Sequence, residues 1–244
     1  MTFSIAARCP RTGNLGVATS SKALSAGGQV PYVKSGVGAI ASQSFVNPYL
    51  GIDGLVLLGQ GLPAERVLDR LIEGDAGREL RQVGIVDKEG RTAAYTGERC
   101  IRWAGAVTGA GYVCIGNILA GEEVVKEMAS SFALNGDEEL PLRLLLALES
   151  GQEAGGDRRG RQSAGIHVVA DEEYPLCDLR VDDHDDPVQQ LRRVYEVWER
   201  EELPFLGLAP MRNDFTPEWQ TAIRLGEEIE NELEEAEKVK ESAW

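Results

Sequence analysis

The chain has very little histidine: His167 and His184 are the only two in 244 residues. A Ser–His–Asp hydrolase would have to use His167, in a stretch of strand-like alternation, or His184, inside the run Asp-Asp-His-Asp-Asp, so few histidine-dependent sites can be built. Cysteine is sparse too. Cys9, Cys100, Cys114 and Cys177 are widely scattered, with no CxxC pair and no histidine at metal-ligand spacing, which argues against a zinc framework and for buried free thiols. No apolar run approaches the roughly 18 residues of a membrane span. The opening Phe-Ser-Ile-Ala-Ala is too short, and too soon followed by Arg8, for a signal-peptide core, and a cytoplasmic location is expected. Positive charge is in deficit: a net charge of −15 argues against nucleic acid and anionic membrane as partners. That deficit is local. Eight acidic residues fall in 171–186 and eight more in 227–241, leaving the rest of the chain close to neutral.

What the chain does have is a 43% apolar composition, enough for one large domain or two small ones with a sizeable core. Residues 3–7 and 15–20 read as two strands around the turn-rich Pro-Arg-Thr-Gly-Asn. A short buried strand follows at 37–42. After Asn47-Pro48 the period changes: Ile52, Leu55, Val56 and Leu57, then Leu62, Val67, Leu68, Leu71 and Ile72, fit two helices that part near 59–62, with Pro63 in a first helical turn. Residues 82–86 and 92–95 make a second hairpin about a turn at 87–90, and 112–116 adds a strand. Helices are expected at 122–134 and 139–149, then a glycine-rich loop at 151–160 and a strand at 163–169. Asp186-Pro187-Val188-Gln189 resembles a capping box and opens a helix to about residue 201. Beyond Pro210, Ala222, Leu225, Ile229 and Leu233 put one narrow apolar stripe on an acidic helix, facing the body or a partner; a homo-oligomer is compatible with it. Hairpin connections exclude a doubly wound parallel sheet, and helix pairs alternating with strand pairs give an α+β layered sandwich.

Thr2 raises the chemical question. Chain ends are ordinarily the least constrained part of a domain, yet this one opens directly into a strand. A threonine exposed by removal of Met1 carries a nucleophilic hydroxyl and a free α-amine on one residue, and the amine can act as base for the hydroxyl. Methionine removal needs a small second residue, which threonine is. Further along, Gly-Gly-Asp-Arg-Arg-Gly-Arg-Gln-Ser sets three arginines and an aspartate between glycines, poor for a core and good for a ligand clamp. Arg158 or Arg161 can grip a substrate carboxylate with a two-point fork, Asp157 can hold the arginine, and Gln162 and Ser163 finish the pocket as the chain re-enters a strand. Asp-Asp-His-Asp-Asp suggests a metal, but adjacent residues do not easily converge on one ion, and Asp186 serves better as a helix N-cap; no metal or other cofactor is expected.

The runs TFSIAAR, GNLGVATSSKALSAGGQVPYVKSGVGAIASQSFVNPYLG, RQVGIVD, IGNILAG, GGDRRGRQSAG and VDDHDDP resemble a bacterial and archaeal family, domain of unknown function 1028. The resemblance covers roughly residues 1–201 and leaves 202–244 as a linker and acidic helical tail. It implies an N-terminal-nucleophile hydrolase fold, a four-layer αββα sandwich, with Thr2 as nucleophile. Lys34, 32 residues on, lies near the separation at which related threonine-dependent enzymes place a lysine that tunes the amine, with Lys22 as competitor. For the oxyanion the first choice is Asn117, with Gln43 and Asn47 as alternatives. The function implied is a cofactor-free amide hydrolase on a small, carboxylate-bearing amide. The alternative, from another class, is a catalytically silent member of the fold that binds a metabolite or, through the acidic helix, a protein partner.

Overall fold

Residue alternation in the first two strands sets the architecture. In the computed structural model, which describes residues 2–214 and 219–242, β1 (Thr2–Arg8) pairs antiparallel with β2 (Leu15–Ser21). All of β2 and all but the last residue of β1 are buried. Strands buried on both faces need a layer on each side. Successive side chains alternate, so Phe3, Ile5 and Ala7 share one face of β1 and Thr2, Ser4 and Ala6 the other.

The following elements supply those layers. After β3 (Pro31–Lys34) and β4 (Gly38–Ser44) come helices α1 (Pro48–Gly59) and α2 (Ala64–Gly74), then β5 (Arg81–Asp87), β6 (Thr92–Thr96), β7 (Ala104–Gly109) and β8 (Tyr112–Asn117). Helices α3 (Glu123–Leu134) and α4 (Leu140–Glu153), strands β9 (Ser163–Val169) and β10 (Pro175–Val181), and helix α5 (Pro187–Glu201) complete the run. Two sheets result, a six-stranded one in the order β10-β9-β2-β1-β8-β7 and a four-stranded one in the order β3-β4-β5-β6. Every strand pair is antiparallel. Helices α1 and α2 pack on the smaller sheet, α3 and α4 on the larger, and β1, β2 and β8 of the larger sheet touch β4 and β5 of the smaller.

Alternation divides the core accordingly. Ile40 on β4 and Val83 and Ile85 on β5 turn toward Leu50, Leu58, Val67 and Leu71 of α1 and α2. Their neighbours Ala39, Ala41 and Val86 turn the other way, onto Ala6, Val17, Val113 and Ile115 of the larger sheet. Each buried Val, Leu or Ile contributes about 1.5 to 3 kcal/mol. Gly84 lets the sheets close, since a Cβ there would lie 3.0 Å from a Val113 methyl.

Three strands escape the sequence reading: β3, β7 and β10. All lie at sheet edges, where one side of the ladder is unpaired and the hydrophobic pattern is weak; β3 is four residues long and β7 is Ala-Gly-Ala-Val-Thr-Gly. Helix α4 runs on to Glu153, and α2 begins at Ala64 because Pro63 is extended and stands before the helix. The chain forms two compact units that part between Tyr195 and Glu196. The second contains α6 (Leu203–Leu206) and α7 (Trp219–Ser242), whose Ile229 and Leu233 are exposed. No helix among the described residues is long and apolar enough to cross a membrane.

Candidate active site

Along five strands the face between the sheets changes from apolar to polar in the same direction. On β1 it runs Ala6, Ser4, Thr2; on β2 Val17, Thr19, Ser21; on β4 Ala41 then Gln43; on β5 Val86, Gly84, Gln82; on β8 Val113, Ile115, Asn117. The register makes these polar ends coincide. Thr2 stands opposite Ser21 on one side and Asn117 on the other, and Gln43 stands opposite Gln82 in the facing sheet.

The side chains close into one buried network. Gln82 Oε1 accepts from Gln43 Nε2 and Asn117 Nδ2, both at 2.9 Å, while Gln82 Nε2 lies within bonding distance of Thr96 Oγ1 and the carbonyls of Gly105 and Gly116. Gln43 Nε2 also donates to the Thr2 carbonyl at 3.1 Å, and its Oε1 accepts the Ser4 hydroxyl proton, while the Ser4 and Thr19 hydroxyl oxygens stand 2.8 Å apart. The Thr2 and Ser21 hydroxyls are 3.2 Å apart. Such a network costs desolvation and is tolerated only when its members are satisfied. One donor is left over: an amide nitrogen carries two N–H groups, and Asn117 spends one of them on Gln82.

Asn117 also lines a cavity of about 260 Å³ with Ser44, Phe45, Ile101, Ile118 and Arg159. Two of these walls are strained. Ser44 has φ 73° and Ile118 φ 52°, in the left-handed region, where a β-branched residue is a genuine outlier and each such residue costs on the order of 1–3 kcal/mol. Ile118 is held there from both sides, its N–H donating to Ile101 and its carbonyl accepting from Arg158 N. Phe45 is fixed by Arg81, which donates to its carbonyl at 2.7 Å and is paired with Asp75 at 2.9 Å. Burial pushes the Asp75 carboxyl up, but bonds from Arg81, Asn47 and the Gly77 N–H outweigh it and hold the group below its ordinary value.

The structure brings together some of the residues expected from the sequence and disperses the rest. Thr2, Gln43 and Asn117 share the network. Asp157 is close by, 5% exposed, accepting from Lys22 N at 2.8 Å; but the arginine it holds is Arg159, through Nη2 at 3.1 Å and the Arg159 N–H at 2.9 Å, and not Arg158 or Arg161. Arg158 is exposed, and Arg161 pairs with Asp186 at 2.7 Å in a separate cavity bounded by Glu149 and Arg192. Gln162 and Ser163 brace loops: Gln162 donates to Asp183, and Ser163 donates to the Ala23 carbonyl and accepts from Ala26 N. Asn47 caps α1 and bonds Asp75. The Lys22 side chain is exposed. Lys34 is far from Thr2. It pairs with Gly38, at the opposite end of β4 from Gln43, about 17 Å away at the rise of an extended strand. In the Asp-Asp-His-Asp-Asp run, His184 Nδ1 accepts from Asp186 N, and among the described residues no group of three or more His, Cys, Asp or Glu is placed for a metal ion. Met1 lies outside the described residues.

Gln82 is one residue the sequence reading missed, and Arg159 is another. Its signal was the spacing: an aspartate that bonds the N–H two residues on forms a local turn and brings that residue's side chain alongside its own carboxylate.

Two antiparallel sheets, helices on each, and a buried polar cluster opening on a strained cavity define the class as a mixed α/β protein with one candidate site between its sheets. The chain belongs to DUF1028, a family of unknown function whose model matches residues 2–191. It is similar to the crystal structure of protein SPO2555 from Silicibacter pomeroyi, described with the same family, at 30% identity and a TM-score of 0.81 over 88% of this chain and 98% of that one. A further solved structure, Anbu (ancestral beta-subunit) from Yersinia bercovieri, aligns at 14% identity and a TM-score of 0.40, covering 86% of this chain and 99% of that one. No curated protein matches the chain.

Proposed function

We propose that the chain is a cofactor-free amide hydrolase of the N-terminal-nucleophile type, acting on a small amide that carries a carboxylate. The packing of α1 and α2 on one sheet and α3 and α4 on the other supports reading the first unit as a four-layer αββα sandwich. The observation that carries the reading is the sheet register, which sets Thr2 between Ser21 and Asn117, with its carbonyl held by Gln43, next to the cavity lined by Asn117 and Arg159.

With Met1 removed, the Thr2 hydroxyl attacks the amide carbonyl while its own α-amine takes the proton; an α-amine titrates near pH 8, so it is a serviceable base without histidine. The remaining Asn117 N–H meets the developing oxyanion. The α-ammonium returns that proton to the nitrogen of the leaving amine and an acyl-threonine remains; water, giving a proton to the α-amine, then attacks the acyl carbonyl, and the acid leaves as the Thr2 hydroxyl is restored. Arg159, steadied by Asp157, grips the substrate carboxylate, and Phe45, Ile101 and Ile118 take up the apolar part.

The test is turnover of a panel of ureido acids, acyl-amino acids and small amides by the wild type, Thr2→Ala and Thr2→Ser. Thr2→Ala is expected to abolish turnover with thermal unfolding unchanged, and Thr2→Ser to retain part of it, since serine keeps hydroxyl and amine but loses the methyl that restricts χ1. Full turnover by Thr2→Ala ends the reading. Binding without turnover by a wild type whose Met1 is removed would favour a silent, metabolite-binding member of the fold.

A further inference from the structure

Helices α1 and α2 touch each other on the smaller sheet and differ on their outer faces. In α2 the exposed side chains are Glu65, Arg66, Asp69, Arg70 and Glu73, the polar face expected of a helix that covers a sheet. In α1 they include Tyr49, Ile52 and Val56, which are 66%, 47% and 55% exposed, and Asp53 is the one charged residue of the helix. The fold does not require that apolar face. Leu50, Gly54 and Leu58 of α1 already face the sheet, Gly54 so closely that a Cβ there would lie 2.5 Å from an Ile40 methyl. Single exposed apolar residues are ordinary; a row of them joined to a cavity marks a binding surface.

The row begins at the candidate site. Tyr49, Ile52 and Val56 share one face of the helix by their spacing. Phe45, on the turn that leads into α1, is 60% exposed and lines the cavity with Asn117 and Arg159. Ile101, from the loop between β6 and β7, is exposed at the same mouth. From Tyr49 to Val56 the helix rises about 10 Å, the length of a linear chain of roughly eight carbons. The cationic grip comes from the other sheet. Arg159 pairs with Asp157, which accepts from Lys22 N just beyond β2 of the larger sheet, whereas Phe45 follows the end of β4 in the smaller one.

A ligand that meets both carries a carboxylate at one end and apolar length at the other, with its amide beside Thr2 and Asn117. Resting on the reading of Thr2 as nucleophile, we infer that the substrate is an amphiphile: one amide flanked by a carboxylate, held at Arg159, and by a linear alkyl chain that leaves the cavity past Phe45 and Ile101 and lies along Tyr49, Ile52 and Val56. Water is added across its C–N bond, giving a carboxylic acid and an amine, and no further reactant is consumed. The chain can stand on the carbonyl side, as in an N-acyl amino acid, or on the nitrogen, as in an N-alkyl amide of a dicarboxylic acid.

Two series separate these sources on the full chain: N-acylglycines from acetyl to decanoyl, and N-alkyl succinamic acids from methyl to decyl. Turnover is measured in the wild type and binding by calorimetry in both the wild type and Thr2→Ala. In one series kcat/KM and Kd are expected to improve about twofold per methylene, half the free energy of complete burial, and to level off at roughly eight carbons. Ile52→Asp and Val56→Asp, both at exposed positions, are each expected to cut the preference for the eight-carbon member over the shortest by about fivefold or more. Turnover and binding that ignore chain length, or no binding of either series, overturn the inference, and the hydrolase reading still stands where short amides are cut. Chain-length-dependent binding to a wild type that has lost Met1 and hydrolyses neither series supports the chain surface and ends the hydrolase reading. A wild type that sediments as a dimer, is split by Val56→Asp and is indifferent to chain length gives the row to a second copy and overturns the inference.

Discussion

The two halves of the space between the sheets are filled by the same five strands and are chemically opposite. At one end Ala6, Val17, Ala39, Ala41, Val86 and Val113 pack as an ordinary apolar core. At the other, Ser4, Thr19, Gln43, Gln82 and Asn117, all 1% exposed or less, replace it with hydrogen bonds. An apolar filling would have met the needs of the fold more cheaply, because a satisfied polar network contributes little net stability and a half-satisfied one is a liability. The difference supports placing the proposed site at the polar end. The polar end is the end with a spare donor, two left-handed non-glycine residues and an opening to solvent, and strain of this sort clusters at active sites.

The comparison can be broken by exchanging the character of one half for the other. Gln82→Leu strands partners on three sides, at about 1–3 kcal/mol for each buried group left unpaired, and is expected to cost about 3 to 5 kcal/mol in urea unfolding; near-neutral behaviour would mean that the polar half is merely an alternative core. In the apolar half Val113→Ala is expected to cost about 2 kcal/mol by cavity formation, while turnover per folded molecule stays the same. At the rim, Arg159→Ala is expected to raise KM for an anionic substrate tenfold or more, about 1.5 to 2 kcal/mol for a lost charge-assisted pair, and to leave a neutral amide unaffected. Arg158→Ala is the control and changes neither.

Smaller effects sharpen the boundary of the site. Asp75 has its folded carboxyl lowered below the unfolded value of about 3.9, so it adds stability above that value which is lost as pH falls through the lowered one. Asp75→Asn should flatten the acid side of a stability–pH curve measured by thermal unfolding. Lys34→Ala should change neither kcat nor KM, because its strand end points away from Thr2.

Much of the fold was legible because alternation along β1, β2, β4, β5 and β8 and the period of α1 to α4 are strong signals over six or more residues. The edge strands were not, since β3, β7 and β10 bury less and pair on one side. Thr2, Gln43 and Asn117 stood out in the sequence as polar residues at strand ends, and the structure gathers them into one network through strand pairings that only the fold supplies. Gln82 and Arg159 were hidden for different reasons. Gln82 sits in a run that reads simply as a strand, and only the facing sheet gives its amide a purpose. Arg159 was one of three arginines in a loop, and the choice among them rests on which N–H the Asp157 carboxylate captures. Lys34 was misplaced because separation along the chain says nothing about which end of a strand a residue occupies.

The central claim, that Thr2 supplies both nucleophile and base, is tested most directly by the mass of the amino-terminal peptide of the purified active protein. The account predicts a peptide that begins at Thr2 with an unmodified α-amine, and one that gains the acyl group of the substrate when turnover is quenched in acid. A fully active protein that retains Met1, whose amide nitrogen leaves Thr2 without its base, would contradict it.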